Sequence, residues 1–227
     1  TPTVRCRRVR CALFSPSKPE DFIALLHSLR RLLLVLLTGL LPLIAARAAD
    51  APAPPPFQEG KDYVRVPTPM PPAAPGKIEV IEFFSYTCPH CYDLEPTVQD
   101  WLKRKPENVT LTRIAVAFGA SWEPTARAYY AAEALGVLDK LHQPLFDAIH
   151  RERRRLGSED ELAAFFAAHG VDQDAFRKAY QSFQTETQLR RGNQLAQRYG
   201  VHGVPTVIVD GQYEVRSSRI FEVVDFL

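Results

Sequence analysis

KIEVIEFFSYTCPHCY, residues 77–92, is the stretch that decides the fold of this chain. Its first ten residues are mostly β-branched, aliphatic or aromatic, which is typical of a strand buried on both faces of a sheet. The strand pattern ends at Cys88 and Cys91, which a proline and a histidine separate. The reactive side chains of the chain therefore lie at the end of a buried strand.

A helix is predicted directly after this strand. Leu94 and Val98 recur at helical spacing, and Pro89 occupies a position that suits the first turn of a helix. Cys88 then lies at the start of the helix, and Cys91 follows one turn later and is directed toward the core.

The rest of the chain alternates between strand and helix patterns. Residues 108–118 predict a second strand, which completes a strand-helix-strand unit. Residues 120–200 predict four or five short amphipathic helices, separated by glycines, that pack as a helical subdomain. The repeating apolar positions include Phe176, Tyr180 and Phe183, and then Leu189, Gly192, Ala196 and Tyr199.

Strand patterns return in PTVIVDGQYEV, residues 205–215. Asp210-Gly211 separates two β-rich runs and is a good two-residue hairpin turn. Residues 219–227 place apolar side chains on one helical face, and neither a glycine cap nor a basic last turn follows. We therefore expect the sequence to be truncated at its C-terminus.

The N-terminal segment, residues 1–48, has the features of an export signal. Arg30 and Arg31 precede the apolar run of residues 32–46, and Ala46-Arg47-Ala48 is a small-x-small cleavage site. The run of about fifteen residues is short for a membrane-spanning helix, which needs roughly 20. We expect cleavage after Ala48. An uncleaved membrane anchor is the alternative, and either one carries the folded part out of the cytoplasm.

The extreme N-terminus has a doubtful translation start, because the chain begins at Thr1 and its one methionine is Met70. Cys6 and Cys11 lie in this doubtful region. A product cleaved as expected would keep two of the four cysteines, in an oxidising compartment.

Residues 49–76 form a proline-rich segment between the signal and the fold. Since proline fixes φ and has no N–H to donate, the segment is expected to be extended and not helical. Residues 63–66 within it are interpreted as an edge strand.

Composition and spacing exclude several function classes. A formal net charge of +2 rules out a strongly basic nucleic-acid binder. A structural zinc site needs about four ligands, and Cys88, His90 and Cys91 leave that set incomplete, so no metal is expected. A structural disulfide that closes so short a loop contributes little stability.

A redox role explains the position of the pair. A cysteine at a helix N-terminus faces unpaired backbone N–H groups and the positive end of the helix dipole, which stabilise its thiolate. Protonated His90 would add positive charge near the sulfur of Cys88. A stabilised thiolate is a good leaving group, so the disulfide form would oxidise other thiols.

The order of elements resembles the thioredoxin superfamily, and EFFSYTCPHCY together with GVPTVIVDG resembles the DsbA family of exported thiol oxidases. The resemblance implies an α/β thioredoxin-like fold, residues 77–119 and 201–227, interrupted by a helical subdomain, residues 120–200. It implies no cofactor besides a redox-active Cys88–Cys91 disulfide, with Pro89 and His90 between the two sulfurs.

The resemblance also implies roles for residues outside the cysteine pair. Pro205 matches a cis-proline that faces the pair, and Val204 before it would present backbone to an extended substrate; an ordinary trans proline is the alternative. Glu82 and Arg113 match an acidic and a basic residue beneath the site. They form either a proton relay to Cys91 or a satisfied buried ion pair.

The remaining histidines and the basic run are expected to be structural or solvated. His142, His150 and His169 lie on predicted helices, and His202 lies in a loop three residues before Pro205. Residues 151–155, RERRR, are expected to be a solvated helix end, with an anion site as the alternative.

The resulting hypothesis is a periplasmic thiol:disulfide oxidoreductase that donates its disulfide to folding exported proteins. By resemblance, a DsbB-like membrane quinone reductase reoxidises it. The alternatives are a reductase or isomerase, and a peptide-binding chaperone with incidental cysteines. Residues 49–76 are too short and too proline-rich for the dimerisation domain that isomerases of this superfamily usually carry.

Overall fold

The computed structural model describes residues 55–71 and 74–227, which form five strands and seven helices. The predicted export signal, Cys6, Cys11 and the cleavage site after Ala48 lie outside the described residues. Within the described ranges, none of the helices combines the length and the apolar character that crossing a membrane requires.

A five-stranded mixed sheet forms the centre of the fold. The strands are β1 (Tyr63–Arg65), β2 (Ile78–Phe84), β3 (Val109–Ala115), β4 (Thr206–Val209) and β5 (Tyr213–Val215). Their order is β1-β5-β4-β2-β3; β2 and β3 are parallel, and the other neighbours are antiparallel. The last five residues of β2 are buried, as predicted for a strand covered on both faces.

Strand β1 extends the sheet into the proline-rich segment. Tyr63 pairs with Val215, and Arg65 with Tyr213, so β1 forms the edge of the sheet next to β5. The predicted boundary between the proline-rich segment and the thioredoxin-like domain, at residue 77, therefore separates β1 from the sheet to which it belongs. Prolines surround β1 without interrupting it, because a three-residue edge strand needs few backbone donors.

The β4–β5 hairpin differs from its prediction by one residue. Asp210 and Gly211 both have positive φ, 51° and 65°, and Gln212 N–H donates to the carbonyl of Val209 at 3.0 Å. Val209 nevertheless pairs with Tyr213, so Gln212 belongs to the connection as an extra residue. Its carbonyl accepts instead from the N–H of Val66, which ties the hairpin to the N-terminal segment.

Helices cover both faces of the sheet. On one face, α1 (Pro89–Leu102) and α7 (Ile220–Phe226) meet where Trp101 stacks on Phe221, with ring centroids 4.7 Å apart. Val80, Val207 and Val209 belong to this apolar cluster. The next residues along the strands, including Ile81 and Ile208, pack on the opposite side.

Five helices lie between β3 and β4 in the sequence. They are α2 (Glu123–Ala134), α3 (Leu138–His150), α4 (Glu159–Ala168), α5 (Gln173–Tyr180) and α6 (Phe183–Tyr199). Side chains cap the starts of α4, α5 and α6, and Gly200, with φ of 72°, ends α6. These local signals explain why the sequence predicted four or five helices in this stretch, and the structure has five.

The prediction was wrong for Phe183. Phe176 and Tyr180 are buried on one face of α5, but Phe183 begins α6 and is 80% exposed. The hydroxyl of Ser182 accepts from the N–H of Thr185 and starts a new helix, so the helical spacing does not continue through Phe183.

Gly192 allows α6 to approach β3 closely. An added Cβ at this position would lie 2.6 Å from the hydroxyl of Tyr130 and 2.8 Å from Cγ2 of Ile114. The apolar repeat of α6 is confirmed by the burial of its other members, Leu189, Ala196 and Tyr199.

Candidate active site

The two cysteines lie where strand β2 leads into helix α1. Cys88 is the N-cap residue of α1 and is partly exposed, whereas Cys91, one turn later, is fully buried. Both are present as thiols. One sulfur is therefore accessible to another molecule, and the other lies beneath it.

The position of Cys88 stabilises its thiolate. A hydrogen bond from the thiol of Cys91 contributes most to lowering the pKa of Cys88 to about 6, and the backbone N–H groups of Cys91 and His90 add to it. Partial burial opposes the shift, and the charge of His90 contributes less than the hydrogen bonds. The sequence correctly indicated the contribution of the helix N-terminus. It did not predict that the hydrogen bond from Cys91 contributes most to the low pKa of Cys88.

The pKa of Cys91 is shifted in the opposite direction. Its hydrogen bond to Cys88 and its burial raise the pKa of the Cys91 thiol far above the usual range. The backbone near Ser85 opposes this shift, while the nearby carboxyl of Glu82 adds to it. The pair therefore divides into an exposed sulfur that readily carries charge and a buried sulfur that keeps its proton.

The loop before β4 faces the exposed sulfur. The Val204–Pro205 peptide bond is cis, and the carbonyl oxygen of Val204 lies 3.4 Å from Sγ of Cys88. The thiol form of Cys88 can donate a weak hydrogen bond to this oxygen. The structure thus brings together the cysteines and the proline that the sequence separates by more than a hundred residues.

Two buried carboxylates share one guanidinium beneath the cysteines. Arg113 Nε donates to Oε2 of Glu82 at 3.1 Å, and its Nη2 lies 3.1 Å from both carboxylate oxygens of Glu95. Glu82 and Arg113 are paired residues on β2 and β3, while Glu95 belongs to α1. The predicted Glu82–Arg113 pair exists, but it has a third member.

The two carboxyl groups titrate differently. Burial raises the pKa of Glu82 to about 7, although Arg113 lowers it in part. For Glu95, burial is opposed and outweighed by the hydrogen bond from His142 and by the charge of Arg113, so its pKa is lowered. Near neutral pH, Glu95 is the ionised partner, and Glu82 can hold or release a proton.

His142 completes this network and was missed as a functional candidate. Its Nε2 lies 3.1 Å from Oε1 of Glu95, and its Nδ1 lies 2.7 Å from the hydroxyl of Tyr86. Burial lowers the pKa of His142, so the ring is neutral and carries one proton. An ionised Glu95 only accepts, so Nε2 donates to Glu95, and Nδ1 accepts from Tyr86.

A periodicity signal was available for Glu95. It lies four residues after Cys91, so the same face of α1 must carry both side chains into the core. His142 gave no such signal, because its partners come from a distant loop and helix.

Tyr86 connects the active-site loop to helix α3 in two ways. Its hydroxyl reaches His142, and its carbonyl oxygen accepts from Nε2 of His150 at 2.7 Å. The ring of His150 also stacks on Tyr92, with centroids 4.9 Å apart. His150 therefore supports the loop that carries Cys88, which agrees with the expectation of a hydrogen-bonded histidine.

The other predicted polar residues lie outside this network. His169 bonds the carbonyl of Phe165 at the end of α4, and His202 is exposed in the loop before Pro205. Residues 151–155 follow the end of α3 and are all exposed. Among the described residues, no group of three or more His, Cys, Asp or Glu is placed to hold a metal ion.

Comparison with known proteins places the chain in a family. A family model described as a DSBA-like thioredoxin domain matches residues 79–227. The thiol:disulfide interchange protein DsbA of Azotobacter vinelandii is 40% identical over 186 residues, which cover 82% of this chain and 87% of that protein.

Solved structures show the same similarity. A crystal structure of DsbA from Pseudomonas aeruginosa is 39% identical, with a TM-score of 0.66 over 70% of this chain and 83% of that chain. The oxidoreductase DsbA from Xylella fastidiosa is 36% identical, with a TM-score of 0.69 over 76% and 94%.

Proposed function

The chain belongs to the DsbA-like thioredoxin family and is a thiol:disulfide oxidoreductase, and we propose that it works as an oxidase through Cys88 and Cys91. The observation that carries this proposal is that the pKa values of the two thiols are shifted in opposite directions. Cys88 has a pKa lowered to about 6, and the pKa of Cys91 is raised. A disulfide between such a pair has one sulfur that leaves well and is accessible.

In the first step, a substrate thiolate attacks Sγ of Cys88 in the Cys88–Cys91 disulfide. The bond between the two cysteines breaks, a mixed disulfide forms, and the sulfur of Cys91 leaves with the electron pair. In the second step, another thiolate of the substrate attacks the substrate's own sulfur and releases Cys88 as a thiolate. Two electrons pass from the substrate to the pair, and the substrate gains one disulfide.

The leaving sulfur of Cys91 needs a proton, because a buried thiolate is costly. Glu82 is the group that supplies it in our proposal. Its pKa of about 7 lets it hold a proton at neutral pH, and it is close enough to influence the titration of Cys91. Arg113 then stabilises the carboxylate that remains.

The other predicted site residues act on Cys88 and on the substrate chain. Pro89 starts α1, and His90 contributes a backbone N–H and a positive charge to the thiolate of Cys88. The backbone of Val204, held before Pro205, pairs with the extended substrate beside its cysteine.

The setting of the reaction is the periplasm, where exported proteins with free cysteines are the substrates. The apolar run after Arg30 and Arg31 and the small-residue cleavage site support export. Reoxidation of the pair by a DsbB-like membrane quinone reductase completes the cycle.

The test measures the oxidation of a peptide that carries two cysteines. Fluorescence or mass spectrometry monitors the reaction. The oxidised protein should convert the peptide to its disulfide stoichiometrically, and the Cys88→Ser variant should not. Cys91→Ser has no disulfide to donate and should also leave the peptide reduced.

Two further measurements separate the competing functions. A redox titration against glutathione should give an oxidising pair, whereas a reductase would give a reducing pair and rapid insulin reduction. A chaperone would protect unfolded clients from aggregation equally well in the Cys88→Ser variant, and that result without any peptide oxidation would contradict the proposal.

A further inference from the structure

A cleft of about 540 Å³ lies beside the residue that precedes the exposed cysteine. Thr87, directly before Cys88, forms part of its lining, together with Ile149 near the end of α3. Arg154 and Arg155, in the connection between α3 and α4, also line the cleft. Any substrate chain bound at Cys88 therefore has a basic cleft within its reach.

The acidic residue in the lining of this cleft is already engaged. Glu161 accepts at Oε2 from the backbone N–H groups of Gly157 and Ser158, at 2.9 and 3.0 Å, as part of the capping box of α4. Its carboxylate therefore stabilises the N-terminus of α4. The two arginines consequently give the cleft a positive character.

The guanidinium groups of Arg154 and Arg155 remain available to bind a ligand. Among the described residues, Arg155 makes no ion pair within 4.0 Å, and the contact of Arg154 with Glu152 lies at that limit, 4.0 Å. Arg154 also lies over the ring of Phe165, 5.4 Å from its centroid. A stacked guanidinium is held in position while its N–H edges remain available for a carboxylate.

The backbone of this connection has a defined conformation. Arg153 has a φ of 58°, which is uncommon for a residue with a side chain, and Arg154 N–H donates to the carbonyl of Ala148 at 2.9 Å. The hydrogen bond fixes the turn that follows α3. Arg154 and Arg155 are therefore presented by an ordered loop.

We propose that this cleft binds an acidic side chain of the substrate, a few residues from the cysteine that attacks Cys88. This inference rests on the proposed function and adds a sequence preference to it. The bond is the charge-assisted pair between guanidinium and carboxylate. An extended chain advances about 3.3 Å per residue, so only positions near the cysteine reach from the sulfur to the cleft.

The experiment uses pairs of one-cysteine peptides that differ by Glu or Gln at one position, from three residues before the cysteine to three after it. The rate of mixed-disulfide formation with the oxidised protein is measured for each pair at low salt. We expect Glu to exceed Gln by about threefold to tenfold at one or two positions on one side of the cysteine. High salt should reduce that ratio.

Two double variants identify the residues responsible. Arg154→Gln with Arg155→Gln should bring the Glu-to-Gln ratio close to one and leave the rate of the Gln peptides unchanged. Arg151→Gln with Arg153→Gln removes the same charge from the same loop, outside the cleft, and should keep the ratio.

The proposal is overturned if Glu and Gln peptides react equally at every position, or if both double variants lower the ratio to the same extent. The second outcome would mean that general electrostatic attraction, and not the cleft, sets the preference. Failure to form a mixed disulfide even with the Gln peptides would instead contradict the proposed function, so the two failures are distinguishable.

Discussion

Glu82 and Arg113 face each other on adjacent parallel strands, with Oε2 of the carboxylate 3.1 Å from Nε of the guanidinium. The same guanidinium also binds Glu95, so one buried positive charge serves two carboxyl groups. Full ionisation of both acids would leave a negative charge in the core, which is costly. The raised pKa of Glu82 is the direct result of its burial.

Replacing Glu82 by Gln should therefore stabilise the protein at neutral and higher pH. The pKa of Glu82 is about 7 in the folded state against 4.5 in the reference state, so the wild type loses stability as pH rises between these values. We expect Glu82→Gln to gain roughly 1–3 kcal/mol at pH 8 and close to nothing at pH 4. Denaturant unfolding at several pH values measures this gain.

Glu79→Gln is the matched control, because Glu79 lies on the same strand with a partly buried side chain. A gain for Glu82→Gln that stays the same from pH 4 to pH 8 would show that the carboxyl does not titrate as the buried geometry requires. The oxidation assay on the same variant should show slower release of Cys91 if Glu82 supplies its proton.

The thiolate of Cys88 should make the stability of the reduced protein depend on pH. Its pKa is about 6 when folded against a reference of 9.0, so the contribution is complete above pH 9 and is lost as pH falls through 6. The difference in unfolding free energy between the reduced and oxidised forms isolates this effect, because Glu82 titrates in both. The Cys88→Ser variant, which forms no disulfide and has no thiolate at this position, should follow the pH dependence of the oxidised protein.

Replacement of His90 by Ala should raise the pKa of Cys88 only in part. The hydrogen bond from Cys91 contributes most to the low pKa, and the backbone N–H of residue 90 survives the change. Thiolate absorbance of the reduced protein against pH gives the titration. Ordinary thiol behaviour in His90→Ala would mean that the imidazole, and not Cys91, dominates.

Replacement of His142 by Phe should cost about 1–3 kcal/mol of unfolding free energy at neutral pH, because the Tyr86 hydroxyl loses its partner in the core. The cost should shrink below pH 6.5, where the unfolded wild type takes up a proton that the buried ring resists. Denaturant unfolding at both pH values measures it. Adding Tyr86→Phe should restore part of the loss, since no buried hydroxyl then remains unpaired.

A Gly192→Ala substitution should destabilise the protein by about 1–3 kcal/mol, even though alanine favours helix by about 1 kcal/mol. The added methyl group would lie 2.6 Å from the hydroxyl of Tyr130. Gly119→Ala, where nothing lies within 4 Å, is the control and should leave the midpoint of unfolding nearly unchanged. Equal stability of both variants would show that α6 can move away from β3 at no cost.

The sequence predicted the parts of the structure that local rules determine. The buried strand β2, the helix that begins after Cys88 and the apolar repeat of α6 each follow from periodicity and capping over short distances. The pairing of Glu82 with Arg113 was predicted from the resemblance to the DsbA family, and the structure shows this ion pair.

The sequence could not predict contacts that depend on tertiary packing. His142 meets Glu95 across 47 residues, and no spacing rule connects a helix of the subdomain with α1. Phe183 shows the converse error, because a regular apolar spacing continued across the boundary between two helices.

Tyr86 stands two residues before the exposed sulfur and is held by α3 at both its hydroxyl and its carbonyl. A tilt of α3 relative to the sheet would therefore pull on the peptide that carries Cys88. Helix α3 is thus linked to the reactive sulfur through Tyr86, and a ligand that displaces α3 would change the reactivity of the pair without touching either cysteine.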